Sequence, residues 1–358
     1  MEVKVVGGYV NYKICKLCFL QNVPIDAISQ FQLHIDQFKR QYGSEALLFE
    51  HSTWVSQQYL IFADLFNDAL SQGLSAIPTQ HPGFYYQQAA YYANLRKHQS
   101  LSLQDMIGGL TYPHPDPLQT DHLEFYGQRP WRQGHQSIDP PDAQKEKDGI
   151  LALQLREMDQ EHSWIIIPLL GSAISQFKKF QSCFRRKSRL MILIAIEYYH
   201  AKEYSEAATL LHHACAVYRQ DRWCLLLSHI LFTKLHCAYM LADLKTFCAC
   251  SIELISCYSC LNNEEKSQIQ MNLDKVLSGR LPQPLSFRSN ICPVQLPEGG
   301  KEALKRWSHL SESNNSCLID VNHFLPFVEC KARFSKPQFN LDECVQLEVS
   351  VWGWLLGC

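Results

Sequence analysis

Cysteine and histidine come nearest to chemistry in this 358-residue chain, by residue type and by spacing. Cys15–Cys18 and Cys257–Cys260 are CxxC pairs, and Cys248 and Cys250 stand close by, at spacings that zinc thiolates use. Such thiolates sit on a tight turn, whereas both CxxC pairs read as lying inside helical stretches without glycine. Packing as small hydrophobes is therefore expected, with a zinc-dependent module as the rival. His212 and His213 are adjacent, so on a helix they diverge and cannot form an i, i+4 metal pair. No HExxH, GxGxxG, GxxxxGK(S/T) or GxSxG occurs. "PEGGKEALK" at Pro297 lacks the strand and spacing of a phosphate loop and reads as a helix start. No carboxylate pair or nucleophile constellation stands out, so no catalytic residue, metal or cofactor is expected.

Two stretches suggest surfaces instead. "QFKKFQSCFRRKSR" carries Lys178, Lys179, Arg185, Arg186, Lys187 and Arg189, and no Asp or Glu lies between Glu161 and Glu197. A solvated interhelix loop is the plain reading. The alternative is a peripheral membrane or lipid-contact module, since each basic residue near an anionic surface is worth ~1 kcal/mol. Nucleic acid would call for aromatic platforms and a basic domain, against a net charge of -2 and a pI near 6.7. The second stretch, "HPGFYYQQAAYYANLRK", starts at His81. On one helix Phe84, Gln88, Tyr91 and Leu95 share a face, and Tyr85, Ala89 and Tyr92 the neighbouring one. Small Ala89, Ala90 and Ala93 among the rings predict helix packing. The hydroxyls of Tyr85, Tyr86 and Tyr92 remain candidates for the edge of a protein interface.

The elements that hold these residues are mostly helices. Residues from about Tyr9 to Lys97 have the i, i+3, i+4, i+7 apolar spacing of three or more amphipathic helices. Ile14, Leu17 and Cys18 are read as one stripe, with a break at Asn22–Pro24 and stops at Gly43 and Gly73. Between residues 99 and 148 periodicity gives way to a Pro-rich loop with Pro113, Pro115, Pro117, Pro130, Pro140 and Pro141. Helices resume at Lys147. "MILIAIEYYHAKEYSEAATLLHHACAVY" matches a tetratricopeptide-like hairpin, with small Ala195, Ala207 and Ala214 beside large Ile194, Tyr198, Tyr204 and Leu211. Weaker copies follow at Leu235, Tyr239, Leu244, Phe247, Ser251 and Leu254, and precede at Ile14, Cys18, Ala27 and Phe31. The fold class expected is mainly α: antiparallel helical hairpins stacked as a solenoid over residues 1–280. Residues 281–317 read as a linker with one short helix, Lys301–Leu310. Residues 318–358 then alternate like three strands, the start of a β-sandwich.

An apolar content of 46% permits a sizeable core, and length suggests two domains. The longest weakly polar run, Trp164 to Phe177, falls short of the ~20 residues of a membrane span. The scattered 15 cysteines, with no signal-peptide pattern at the start, suggest reduced thiols in the cytosol. The abrupt ends read as those of a fragment.

"HPGFYYQQAAYYA", "TYPHPDPL…EFYGQRPWRQG" and "YYHAKEYSEAATLL" together resemble the foie-gras family of transport protein particle (TRAPP) tether subunits. The resemblance runs from about Tyr9 to Val349 and includes the proline-rich Tyr112–Trp131, whereas Met1–Gly8 and "WGWLLGC" depart from it. It implies a helical solenoid followed by immunoglobulin-like domains, in a non-enzymatic scaffold. The implied partners are other TRAPP subunits and, indirectly, a Rab GTPase activated by the small core subunits. The implied setting is cytoplasmic, peripheral to Golgi and ER–Golgi intermediate membranes, in ER-to-Golgi transport, Golgi organisation and autophagy.

Overall fold

The structure, a computed structural model, describes residues 2–39, 45–74, 81–113, 143–179, 184–256, 258–284, 300–311, 318–324 and 328–353. The chain divides into two compact units, Met1–Leu190 and Met191–Cys358. The first contains α1 (Glu2–Leu20), α2 (Pro24–Phe38), α3 (Leu48–Ser71), α4 (Pro82–Ile107), α5 (Ala143–Met158), α6 (Ser163–Phe177) and the beginning of α7 (Phe184–His200). The second contains the rest of α7, then α8 (Tyr204–Gln220), α9 (Cys224–Leu241), α10 (Leu244–Ile255), α11 (Asn263–Leu277), α12 (Gly300–Ser311) and the strands β1 (Val328–Phe334) and β2 (Leu347–Gly353). Mainly α, with helical hairpins and the start of a β domain, is the fold class the sequence leads one to expect.

One turn geometry builds the hairpins. Asn22, Lys202, Arg222 and Ala242 have φ of 59°, 65°, 53° and 57°. At each, the residue's own N–H and that of the next residue bond back into the preceding helix, as in Glu203 N to Tyr198 O at 2.9 Å and Lys202 N to Tyr199 O at 3.1 Å. This is the Schellman closure, which satisfies orphan carbonyls. The next residue (Val23, Glu203, Trp223 or Asp243) is already the N-cap of the following helix. A left-handed residue that is not glycine costs ~1–2 kcal/mol, which helix packing offsets.

In the first unit α3 and α4 lie close because Ala89, Ala90 and Ala93 are buried and small, and Ser56 Oγ donates to Ala89 O at 2.8 Å. Rings fill the space: Phe31 stacks on Phe62 at 4.2 Å, and Tyr85 meets Phe62 edge-on at 4.7 Å. On α1 the buried stripe is Asn11, Cys15 and Phe19, while Ile14 and Leu17 are exposed. That corrects the expected stripe: α1 is apolar nearly all round, so its pattern does not select a face. Two boundaries also move. Residues 99–107 belong to α4 and α5 starts at Ala143, so the Pro-rich span is shorter at both ends than expected. The expected stop at Gly43 lies outside the described residues.

The second unit is built around α9. Among the described residues Cys224–Leu241, not Trp164–Phe177, is the helix long and apolar enough to cross a bilayer by length and composition, with a mean hydropathy of 1.4. Here 72% of it is buried inside the unit. A helix apolar all round needs neighbours on every side, and α8, α10 and α12 supply them. The helix read as part of a linker is thus core: Trp307 is buried, and its Nε1 donates to Tyr239 O at 2.8 Å. Arg306 Nη1 donates to Met240 O at 3.0 Å, so α12 satisfies carbonyls at the end of α9. After it, Ile319 packs on the same core. Among the described residues there are two strands, not three. They pair antiparallel from Val328–Gly353 to Phe334–Leu347, and residues 331–338 and 344–350 are exposed on both faces rather than half-buried.

Candidate functional site

The basic residues flank the junction of α6 and α7; residues 180–183 between them lie outside the described residues. Lys178, Lys179, Arg185, Arg186 and Arg189 are exposed and Lys187 is half-buried. The Arg186 guanidinium stands 4.5 Å from the Phe84 ring centre and 5.4 Å from that of Phe177, tying the start of α7 to α4 and α6. Lys179 Nζ donates to Gln176 Oε1 at 2.9 Å, and Gln176 Nε2 donates to Asn67 Oδ1 at 2.8 Å. Among the described residues no carboxylate forms an ion pair with Lys178, Lys179, Arg186, Lys187 or Arg189.

Beneath this cluster His81 caps α4. Its Nδ1 accepts from Gly83 N at 3.2 Å, and its ring meets Phe177 edge-on at 4.7 Å. A Cβ on Gly83 would sit 2.8 Å from His81 Cε1 and 3.1 Å from Phe177, so only glycine admits both rings. Burial, reinforced by Arg186 and Lys179, lowers the His81 pKa to about 4.

The three tyrosines turn inward. Tyr86 is buried and donates to Asp64 Oδ1 at 2.6 Å; Tyr92 stacks on Tyr59 at 5.6 Å; Tyr85 is held among Phe31, Phe62 and Phe66. Tyr91, on the other face, is 60% exposed. The expectation of packing describes these three residues, with Tyr86 buried and Tyr85 and Tyr92 half-buried.

The buried thiols pack as well. Cys15 is buried, with Sγ 3.5 Å from Ala27 O, and burial pushes its pKa up to about 12. Burial likewise raises Cys250 to about 12, and thiols so raised are poor ligands and nucleophiles. Cys257 lies outside the described residues, and Cys260 is in the loop after α10 rather than in a helix. Among the described residues no three of His, Cys, Asp and Glu gather as a metal site. His212 Nδ1 lies 3.2 Å from Lys234 Nζ, apart from His213.

Two buried ion networks escape sequence reasoning, because their partners are distant in the chain. Arg96 grips Glu157 at 2.6 and 2.7 Å, and His162 Nε2 adds a third contact at 2.7 Å. Burial pushes Glu157 upward, but His162 and Arg96 outweigh it and hold the carboxyl below its usual range. Arg219 grips Glu253 at 2.8 and 2.6 Å, with Phe324 5.4 Å from the guanidinium. Each clamp joins two helices and leaves no reacting atom exposed. An open groove of about 770 Å³ between α1 and α2 is lined by Val3, Val6, Val10, Leu33, His34 and Phe38 among others.

Comparison with known proteins locates the chain. The family model Foie gras liver health family 1 matches residues 1–257, and TRAPPC11 first Ig-like domain matches residues 318–352. The first match includes Met1–Gly8, which the sequence reading set apart. Trafficking protein particle complex subunit 11 of Gallus gallus and of Homo sapiens are each 46% identical over 353 residues, and that of Bos taurus is 47% identical. These alignments cover 98% of the chain and 30% of each relative, so the chain spans about 30% of their length.

Proposed function

The chain belongs to the Foie gras liver health family 1, and on that footing we propose that it is a non-catalytic scaffold subunit of a TRAPP-type vesicle-tethering complex. The observation that carries this reading is the 46–47% identity, along 98% of the chain, to relatives named as subunit 11 of the trafficking protein particle complex. Antiparallel helical hairpins suit such a role, and two buried charge clusters join helices as clamps. The partners are other subunits of the complex, and a Rab GTPase is reached through them. The setting is the cytoplasmic side of Golgi and ER–Golgi intermediate membranes, in ER-to-Golgi transport, Golgi organisation and autophagy. In the proposed layout residues 1 to about 280 are the foie-gras helical region, and residues 318–358 open an immunoglobulin-like domain.

Affinity purification of the tagged chain from cells tests this. Other tether subunits are expected in the eluate at levels well above a control. A folded chain, verified by its helical circular dichroism, that recovers none of them overturns the proposal. Nucleotide exchange on a Rab GTPase should be unchanged by the purified chain alone.

A further inference from the structure

The basic junction of α6 and α7 is not used by the scaffold reading, and it has the features of a membrane contact. Lys178 and Lys179 stand at the end of α6, and Arg185, Arg186, Lys187 and Arg189 follow at the start of α7. The first turn of α7 contains no acidic residue, so two arginines sit where the helix dipole is itself positive. Arg186, stacked on Phe84 and Phe177, holds the start of α7 beside the end of α6, where Lys178 and Lys179 stand. At the start of α7 Phe184 is 51% exposed, with Lys187 Nζ 5.6 Å from its ring centre.

We propose that Lys178, Lys179, Arg185, Arg186, Lys187 and Arg189, with Phe184 among them, form a contact surface for a bilayer bearing anionic lipid headgroups. The composition favours a bilayer over an acidic protein. Protein interfaces are depleted of lysine and rich in aromatic anchors, whereas this stretch has three lysines beside its three arginines and one exposed ring. Lipid binding needs little more than that: charge drawn to the headgroups, aliphatic stems that snorkel, and an aromatic side chain at the boundary. The contact is independent of the tether subunits, so the purification test and the one below can fail separately.

The test is flotation of the purified 358-residue chain with liposomes of phosphatidylcholine alone, or with about 30% phosphatidylserine added, near 0.1 M salt. Binding is expected only to the anionic vesicles and should fade as salt is raised. Each cation removed should weaken it about fivefold. K178A/K187A/R189A, which spares the stacked Arg186 and the hydrogen-bonded Lys179, should therefore lose about a hundredfold while keeping its circular dichroism spectrum and melting temperature. F184A should weaken binding to anionic vesicles and leave its salt dependence in place. Equal binding to neutral vesicles, no binding to either, or unchanged binding by the folded triple variant overturns the proposal. So does capture of soluble poly-glutamate in preference to the vesicles, which would assign the face to an acidic protein. Displacement by millimolar inorganic phosphate would also overturn it, pointing to a discrete anion site.

Discussion

Single residues carry the sharpest energetic consequences. Glu157 is buried and answers Arg96 and His162 at once, and removing one partner of a buried pair typically costs about 3–5 kcal/mol. Glu157→Gln should therefore lower the thermal midpoint of the first unit by many degrees, read by calorimetry, whereas a substitution at exposed Gln88 should not. His236 and His81 respond to pH. Both are buried and both are lowered from 6.5 to about 4, His236 by burial and His81 by burial with help from Arg186 and Lys179. Between those values the unfolded chain holds more protons than the folded one, so stability is complete above about pH 6.5 and is lost as pH falls toward 4. At about 1.4 kcal/mol per unit, His236 alone accounts for up to roughly 3 kcal/mol. Glu157, also lowered, adds a loss at still lower pH, as the medium approaches its folded pKa. Chemical denaturation from pH 7.5 down to pH 4.5 should show falling stability, and His236→Leu should flatten the part of the slope that His236 contributes.

At the scale of elements, the short closures between helices set the hairpin geometry. Arg222 and Ala242 hold left-handed backbone without being glycine, so Arg222→Gly and Ala242→Gly should each stabilise the second unit by about 1 kcal/mol. Urea titration measures this, and a loss of stability would mean that the side chains contribute more than the backbone strain costs. In the opposite direction, Trp307→Ala empties a buried ring site and removes the donor to Tyr239 O. A cost of about 3–5 kcal/mol is expected, visible in the same titration. That would confirm α12 as part of the helical core and not a passing segment of linker.

At the scale of the whole molecule, stability is distributed unevenly. α9 is enclosed by its neighbours, while β1 and β2 show exposed residues on both faces and a cross-strand pair, Arg333–Glu348, that is itself exposed. A solitary two-stranded hairpin is marginal in water. Hydrogen exchange followed by mass spectrometry should therefore find the amides of residues 331–334 and 347–350 exchanging orders of magnitude faster than those of residues 230–240. Protection of the hairpin equal to that of α9 would mean that something covers it in solution.

Much of this protein could be read along the chain. Apolar spacing marks α2, α3 and α8, the break at Asn22–Pro24 opens α2 and the stop at Gly73 follows α3, and the alanines among the rings of α4 announce close packing. All of these are local signals, carried by residues within a turn or two of one another. Which face of α1 turns inward was decided by packing, because a helix apolar nearly all round offers no preference until α2 and α3 take one side. The burial of α9 was decided likewise: the same composition suits a bilayer or a core, and its neighbours make it a core. The clamps were the least legible part, since Arg96 and Glu157 are 61 residues apart and Arg219 and Glu253 are 34 apart. A charge shows in the sequence, but its partner is chosen by the path of the chain in space. For the basic junction the sequence supplied the charge, and only tertiary packing, through Arg186 on Phe84 and Phe177, brought the start of α7 against α4 and α6.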